Sequence, residues 1–246
     1  MEGFTRAQVD GAEKKEGVLG AGPSRPSDAA TLLLLDRSGS QVRVLMGRRH
    51  ARHAFMPGKF VFPGGGTDIN DSRIAVVEGL HGDEEAKLRS APRPASPARA
   101  RAIALSAIRE TYEEAGLLIG QKMSFSTSKS DWQAFAEHGV HPSLEGLRCV
   151  ARAITPPGRV RRYDTRFLAI WRDSVAVELE GGGPTNELEE LVWLPLPGAL
   201  QADIPTITRT ILGDVVQRLA EDPALSPGGA VPFYRMVGNV FRRDLL

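Results

Sequence analysis

The sequence predicts an α+β fold, a mixed β-sheet covered by helices. Three observations carry this. Residues 31–46 pair a continuous apolar run with an alternating one. Residues 96–116 carry one long helix signal bounded by good caps. Further strand and helix patterns follow without the strict alternation of a βαβ chain.

In chain order, the segment to about Asp28 is rich in Gly, Ala, Pro and charge and reads as a flexible tail, residues 1–28. From Ala29 to the end, residues 29–246 read as a single domain. Thr31–Leu35 is a buried strand, Asp36-Arg37-Ser38-Gly39 supplies turn chemistry, and Val42-Val44-Met46 alternates as its half-buried hairpin partner. Lys59–Phe62 is a third strand, halted by Pro63 and Gly64-Gly65-Gly66. Ile74–Leu80 is a short helix candidate, and Ser90–Ala95 reads as an exposed, flexible loop. Ser96 is a fitting N-cap, Pro97 suits the first helical position, and Gly116 is a natural stop. Asp131–His138 is a small helix; Leu147–Ile154, Asp164–Trp171 and Leu188–Leu194 are strands. Ile207, Ile211, Leu212, Val215, Val216 and Leu219 recur at helical spacing and mark a late packed helix.

Composition removes several function classes. The chain has 246 residues, with 31 Lys+Arg against 30 Asp+Glu, for a net charge of +1. That balance lacks the basic excess of a general nucleic-acid binder, so no nucleic-acid partner is expected. The longest apolar run, Ala29–Leu35, is about seven residues against the ~20 that span a bilayer, so no membrane partner is expected either. No basic start precedes an apolar stretch, and the expected location is cytoplasmic. Cys149 is the single cysteine, which excludes an intrachain disulfide and a multi-cysteine zinc site. His50 and His53 have no third ligand at motif spacing. Apolar residues in Val231–Tyr234, read as exposed, leave room for a homodimer contact.

Chemistry concentrates in Arg109-Glu110-Thr111-Tyr112-Glu113-Glu114-Ala115-Gly116-Leu117. At ~100° per residue Glu110, Glu113 and Glu114 fall within one arc, beside the apolar stripe of Ile103, Ala104, Ala107, Ile108, Thr111 and Ala115. The arrangement is unfavourable by itself. Glu110 and Glu114 repel by about 0.2–0.5 kcal/mol, and acidic groups in the last turns oppose the helix dipole by ~0.3–1 kcal/mol each. A bound divalent cation removes both penalties, and hard cations prefer carboxylate oxygen. Arg109, four residues before Glu113, is placed to hold that carboxylate. Chance occurrence of Arg-Glu-x-x-Glu-Glu-x-Gly in such a chain is on the order of one in a few thousand at ordinary residue frequencies.

This segment resembles the second half of the Nudix box, G-x5-E-x7-R-E-U-x-E-E-x-G-U with U aliphatic. Phe62-Pro63-Gly64-Gly65 is similar to the strand and loop that precede the family's catalytic helix, and Glu190–Leu194 to its late acidic-to-Trp strand. The resemblance implies a Nudix-type α/β/α sandwich around a mixed β-sheet, and hydrolysis of the pyrophosphate of a nucleoside diphosphate linked to another group. It implies Mg²⁺ or Mn²⁺, with Glu110 and Glu114 as leading ligands and Glu113 as third ligand or support. Arg109 would orient the glutamates, and Glu187, Glu189 or Glu190 would supply the general base if it lies on the later loop. Gly64 and Gly65 would bring backbone N–H groups to phosphate, and Arg48 and Arg166 suit phosphate contact. The implied partner is a small nucleotide-derived substrate.

The chain departs from the pattern in three places. In strict register the box's Gly falls on Ala95 and its first Glu on Arg101, and Thr111 replaces an aliphatic residue. A loop insertion at about 68–95 accounts for the first two, at only ~0.6 kcal/mol per doubling of loop length. Gly58–Gly65 with Asp68 and Asp71 also resembles the G-x-V-x-F-P-G-G-x-x-D-x-x-D stretch of coenzyme A pyrophosphatases. Tyr163–Phe167 and the long pre-helix loop are similar to a branch that includes acyl-CoA diphosphatases. ADP-ribose or another nucleoside diphosphate derivative is the alternative substrate. The alternative to an enzyme is a catalytically silent domain of this type that binds and senses a nucleotide.

Overall fold

The computed structural model describes residues 2–14, 18–22, 25–50, 57–185 and 187–246. Its centre is strand β1 (Ser27–Asp36). Ala30, Leu32 and Leu34 point into one core and Leu33 and Leu35 into another, because successive strand residues face opposite sides. Two-sided burial explains why this segment is a continuous apolar run. It pairs antiparallel with β2 (Arg43–Arg49), Leu35 opposite Val44, and parallel with β8 (Tyr163–Trp171) from Ser27↔Tyr163 to Leu35↔Trp171.

The large sheet runs β10 (Leu188–Pro195), β2, β1, β8, β7 (Arg148–Ile154), β11 (Pro232–Val237), β12 (Val240–Leu245). Short β3 (Phe60–Val61) pairs with β2, and β4 (Gly64–Gly66) with β1. Parallel β1–β8 and β7–β11 pairs among antiparallel ones make the sheet mixed, as expected. One face is covered by α3 (Pro97–Ala115), with α2 (Gly82–Leu88), α4 (Gln133–Glu137) and a smaller sheet of β5 (Leu117–Lys122), β6 (Val140–Pro142) and β9 (Val175–Glu178). The other face is covered by α5 (Leu196–Gln201) and α6 (Thr206–Glu221), with Val9 of α1 (Arg6–Glu13) in the same core. The fold is the expected α+β sandwich. No helix among the described residues is long and apolar enough to cross a membrane.

The helix that matters most forms as its caps dictate. The Ser96 hydroxyl accepts from the Arg99 N–H, Pro97 opens the first turn, and Gly116 closes the helix at φ 70°.

Four expectations need correction. The first 28 residues are not structureless where described: α1 carries a Thr5–Gln8 capping box, and Val9 and Val18 are buried. Ile74–Leu80 is not helical; Ile74, Val76 and Leu80 pack into the core as irregular chain, and the helix starts at Gly82 with Asp83, Glu84 and Glu85 in its first turn. The 68–95 insertion is more than loop, since it contains α2, a 3₁₀ turn at Ile69–Arg73 and a buried Asp71. Its Ser90–Ala95 end is tied down by Arg152 Nη1, which donates to the Ser90 and Ala91 carbonyls at 3.0 and 2.9 Å. Val231–Tyr234 is buried against the sheet, so it offers no apolar surface for a dimer.

Candidate active site

The site forms where the last turns of α3 meet β4. Gly64 and Gly65 lie flat against β1, opposite Thr31 and Ala30. A Cβ on Gly64 would stand 2.6 Å from the Ala30 carbonyl oxygen, and one on Gly65 2.5 Å from the Glu110 carboxylate carbon. Only glycine allows backbone and carboxylate to approach this closely. The Gly64 N–H donates to Glu114 Oε2 at 2.9 Å.

Arg109 is the hub. The residue is 7% exposed, and its guanidinium donates from Nη1 to Glu110 at 2.8 Å and to Glu113 at 2.7 Å, and from Nη2 to the Gly66 carbonyl at 3.0 Å. Its Nε meets Asp71 at 3.2 Å, and Trp132 Nε1 donates to the same carboxylate at 3.2 Å. Burial alone would depress Arg109, but the charges of Glu110, Asp71 and Glu113 hold its pKa well above the ordinary value.

Asp71 was not among the predicted site residues, although its signal was readable. Gly65 and Asp71 stand at the spacing the motif gives its Gly and first Glu, so the inserted residues fall after this carboxylate, not before it. Arg101, on the strict-register position of that Glu, instead ties the insertion to α3 through the Ser72 and Ile74 carbonyls. Thr111 replaces an aliphatic residue without loss: it is fully buried, and its hydroxyl donates to the Ala107 carbonyl one turn back at 2.7 Å.

Three carboxylates therefore crowd about the Arg109 guanidinium, and a fourth, Glu114, is held next to them by the Gly64 N–H. Burial pushes Glu114 up to about 8, with the Glu110 and Glu187 charges adding to the shift and the Gly64 N–H opposing it. Burial likewise pushes Glu113 up to about 7, against the pull of Arg109. Glu110 and Asp71 are raised by burial as well. Among the described residues no three acidic, His or Cys side chains stand at metal-holding spacing, since Glu110 and Glu113 are turned to Arg109 and Glu114 to Gly64.

A cavity of about 370 Å³ opens beside Glu110 and Gly64–Gly66. Arg49 and Glu187 line it and pair with each other at 3.2 Å. Thus Glu187 joins the site. Glu190 does not: it pairs with Arg48 at 2.9 Å on the surface, and Arg48 stacks over Phe60. Neighbours on a strand point to opposite faces, so Arg49 rather than Arg48 faces the cavity. Arg166 is also misassigned as substrate-binding; it is fully buried on the side of β8 opposite the cavity-lining Thr165 and Phe167, bound to Asp28 and Asp164. Glu189 pairs with His50 at 3.0 Å. His53 lies outside the described residues.

No family model matches the sequence. Among solved structures, the NUDIX hydrolase of Alicyclobacillus acidocaldarius is 24% identical with a TM-score of 0.59, covering 82% of this chain and 99% of that chain. The Nudix hydrolase RenU of M. smegmatis is 16% identical at a TM-score of 0.45, covering 81% and 89%. The NUDIX domain of Shewanella oneidensis NrtR, solved with ADP ribose, is 10% identical at 0.46, covering 80% and 90%. The first of these shows the fold: the mixed sheet with α3 on one face and α6 on the other is that of the Alicyclobacillus NUDIX hydrolase.

Proposed function

We propose that the chain is a metal-dependent hydrolase that cleaves the pyrophosphate bond of a nucleoside diphosphate linked to another group, and that a coenzyme A derivative is one such substrate. One observation carries the reading. Glu110 lines a cavity of ligand size, and Arg109 and the Gly64 N–H hold Glu113 and Glu114 next to it on the same helix end. The Gly58–Gly65 stretch with Asp68 and Asp71 supports the coenzyme A assignment by its resemblance alone.

The donor set suits Mg²⁺ or Mn²⁺ in kind, because it is all carboxylate oxygen and Gly65 leaves open the space at Glu110 that a Cβ would fill; to reach one ion, Glu110 and Glu113 would turn from Arg109 and Glu114 from Gly64. Glu110 and Glu114 would hold the ion, with Glu113 as third ligand. When bound, it would neutralise phosphate charge and lower the pKa of water. The chain's own groups supply the rest. Asp71 fixes Arg109, and Arg109 fixes Glu110 and Glu113, so the carboxylates are ordered before substrate arrives. Arg49, on the cavity wall, meets the diphosphate as a planar guanidinium suited to bidentate contact. Glu187 Oε2, on the cavity wall, is the acceptor for a proton from attacking water.

The test is turnover of coenzyme A, acyl-CoA, ADP-ribose, NADH and nucleoside triphosphates with Mg²⁺ and with Mn²⁺. Cleavage of a diphosphate-linked member into two monophosphates is expected. Binding of a panel member without turnover of any would replace the hydrolase by a nucleotide sensor.

A further inference from the structure

The cavity has a second wall that shares no residue with the carboxylate cluster, and the N-terminal segment builds it. Residues 3–6 bond to the 239–241 edge: Gly3 N–H to the Phe241 carbonyl at 2.9 Å, Phe241 N–H to the Phe4 carbonyl at 2.8 Å, and Arg6 N–H to the Asn239 carbonyl at 3.0 Å. Residues 18–20 bond to the β7–β8 connection, Val160 N–H to the Val18 carbonyl at 3.0 Å and Gly20 N–H to the Gly158 carbonyl at 3.2 Å. Between them α1 is fastened by Arg159, whose side chain is 1% exposed and donates to Glu13 Oε2 at 2.7 and 2.9 Å and to Asp10 at 2.6 Å. Glu13, Val18 and Arg159 all face the cavity, as does Phe241, which residues 3 and 4 hold.

We propose that this N-terminal belt is the specificity-determining wall for the half of the substrate that does not react, and that it selects a group with an apolar face and hydrogen-bonding edges, such as a nucleobase or sugar. This rests on the proposed hydrolase site and deepens it. Arg159 is already neutralised by Glu13, so of the two arginines that line this wall Arg161 is the one left to meet a charge. Around them the wall is apolar surface from Val18, Ile154 and Phe241 beside Thr155 and Thr165. A volume of about 370 Å³ lies near the lower end of ligand pockets, ~300–1,000 Å³, so the belt leaves space for one such half and excludes a larger one.

Three variants test this, with coenzyme A and ADP-ribose as substrates and AMP binding followed by calorimetry. Val18→Trp fills the cavity from the belt; KM should rise at least tenfold with kcat within twofold, and AMP affinity should fall in parallel. Glu13→Gln keeps the belt's shape, in case Val18→Trp does not fold, and removes the charge that neutralises Arg159, so KM should shift severalfold with kcat within twofold. Gly20→Cys with Val160→Cys locks the belt: a Cβ on Gly20 would lie 3.9 Å from Val160 Cβ, within disulfide range, and the native Cys149 is buried. A fixed wall predicts equal kcat and KM in the oxidised and reduced forms. Turnover lost on oxidation and restored by reductant would overturn the wall and make the belt a gate. Wild-type KM and AMP affinity in both Val18→Trp and Glu13→Gln would overturn it, as would wild-type protein that binds none of the probes. If wild type binds AMP but cleaves nothing, weakened AMP binding in the belt variants sustains the wall while the hydrolase reading fails.

Discussion

One helix, α3, ends in two buried ion clusters of opposite composition. At its start Arg99 joins Arg93, Arg152 and Arg166 around only two carboxylates, Asp28 and Asp164. At its end Asp71, Glu110 and Glu113 gather about Arg109, with Glu114 beside them on the Gly64 N–H. Both are unbalanced, yet they behave differently. Asp164 takes two parallel bonds from Arg152 at 2.8 Å each, and despite burial the hydrogen bond from Arg99 and the charges around it hold Asp28 below the usual carboxylate range. The acidic carboxylates are instead lifted, Glu113 to about 7 and Glu114 to about 8. Where guanidiniums outnumber carboxylates, Arg152 donates its spare N–H to the carbonyls of residues 90–91 and so staples the insertion to β7. Where carboxylates outnumber guanidiniums, Glu114 takes a backbone N–H, that of Gly64, while Glu110 and Glu113 share the one Arg109 Nη1. The first imbalance builds structure; the second leaves the excess negative charge that the proposed cation would neutralise.

Breaking each hub separates the two roles. Arg109→Ala should have the largest effect, since it strands Asp71, Glu110 and Glu113 together. Stability in urea unfolding should drop by about 3–5 kcal/mol, the usual cost of removing one partner from a buried ion pair, and turnover should vanish. Asp164→Ala strands Arg152 and Arg166 and should cost a similar ~3–5 kcal/mol, but kcat and KM measured well below the melting temperature should stay at wild-type values. Loss of kcat there would erase the distinction between the ends.

pH sharpens the contrast in a smaller effect. Glu113 and Glu114 titrate above their unfolded value of 4.5, so the folded state binds more protons, and the ion-free protein should lose stability as pH rises from about 4.5 through 8. Asp28 runs the other way: its contribution is present above 3.8 and is lost only as pH falls through its depressed folded value. Because Mg²⁺ competes with protons at the acidic end, the Tm gain from added Mg²⁺ should be larger at pH 8 than at pH 5. A gain independent of pH would contradict the assignment of those two glutamates.

What was legible in the sequence was what is local. The caps of α3, the two-sided β1, and the Arg109–Glu114 run depend on residues within a few turns of one another, and all stand where expected. What was missed depends on long contacts. The N-terminal belt is held by Arg159, 146 residues from Glu13, so no periodicity marks it. Arg166 looked like a phosphate contact by residue type, and only the pairing of β8 with β1 reveals that it faces Asp28 inside the protein. Ile74–Leu80 has helical spacing but packs as irregular chain, its Val77 N–H bonded to the Pro142 carbonyl at 2.9 Å. Asp71 lay between these cases: its spacing from Gly65 was visible, but the long insertion after it hid the continuation of the motif.

The central claim is that the acidic end of α3 is a metal-dependent catalytic centre and not an acidic helix end. Glu114→Gln tests it most directly, with the exposed Glu137→Gln as control, by measuring turnover at limiting Mg²⁺ together with the Mg²⁺-induced rise in Tm. The substitution keeps size and polarity and relieves repulsion with Glu110, so the fold should hold or gain slightly. Turnover should fall about a hundredfold or more, since metal charge stabilisation supplies several kcal/mol and each ~1.4 kcal/mol is tenfold. The Mg²⁺ protection should shrink in Glu114→Gln and persist in Glu137→Gln. Near-wild-type turnover and full Mg²⁺ protection in Glu114→Gln would contradict the account.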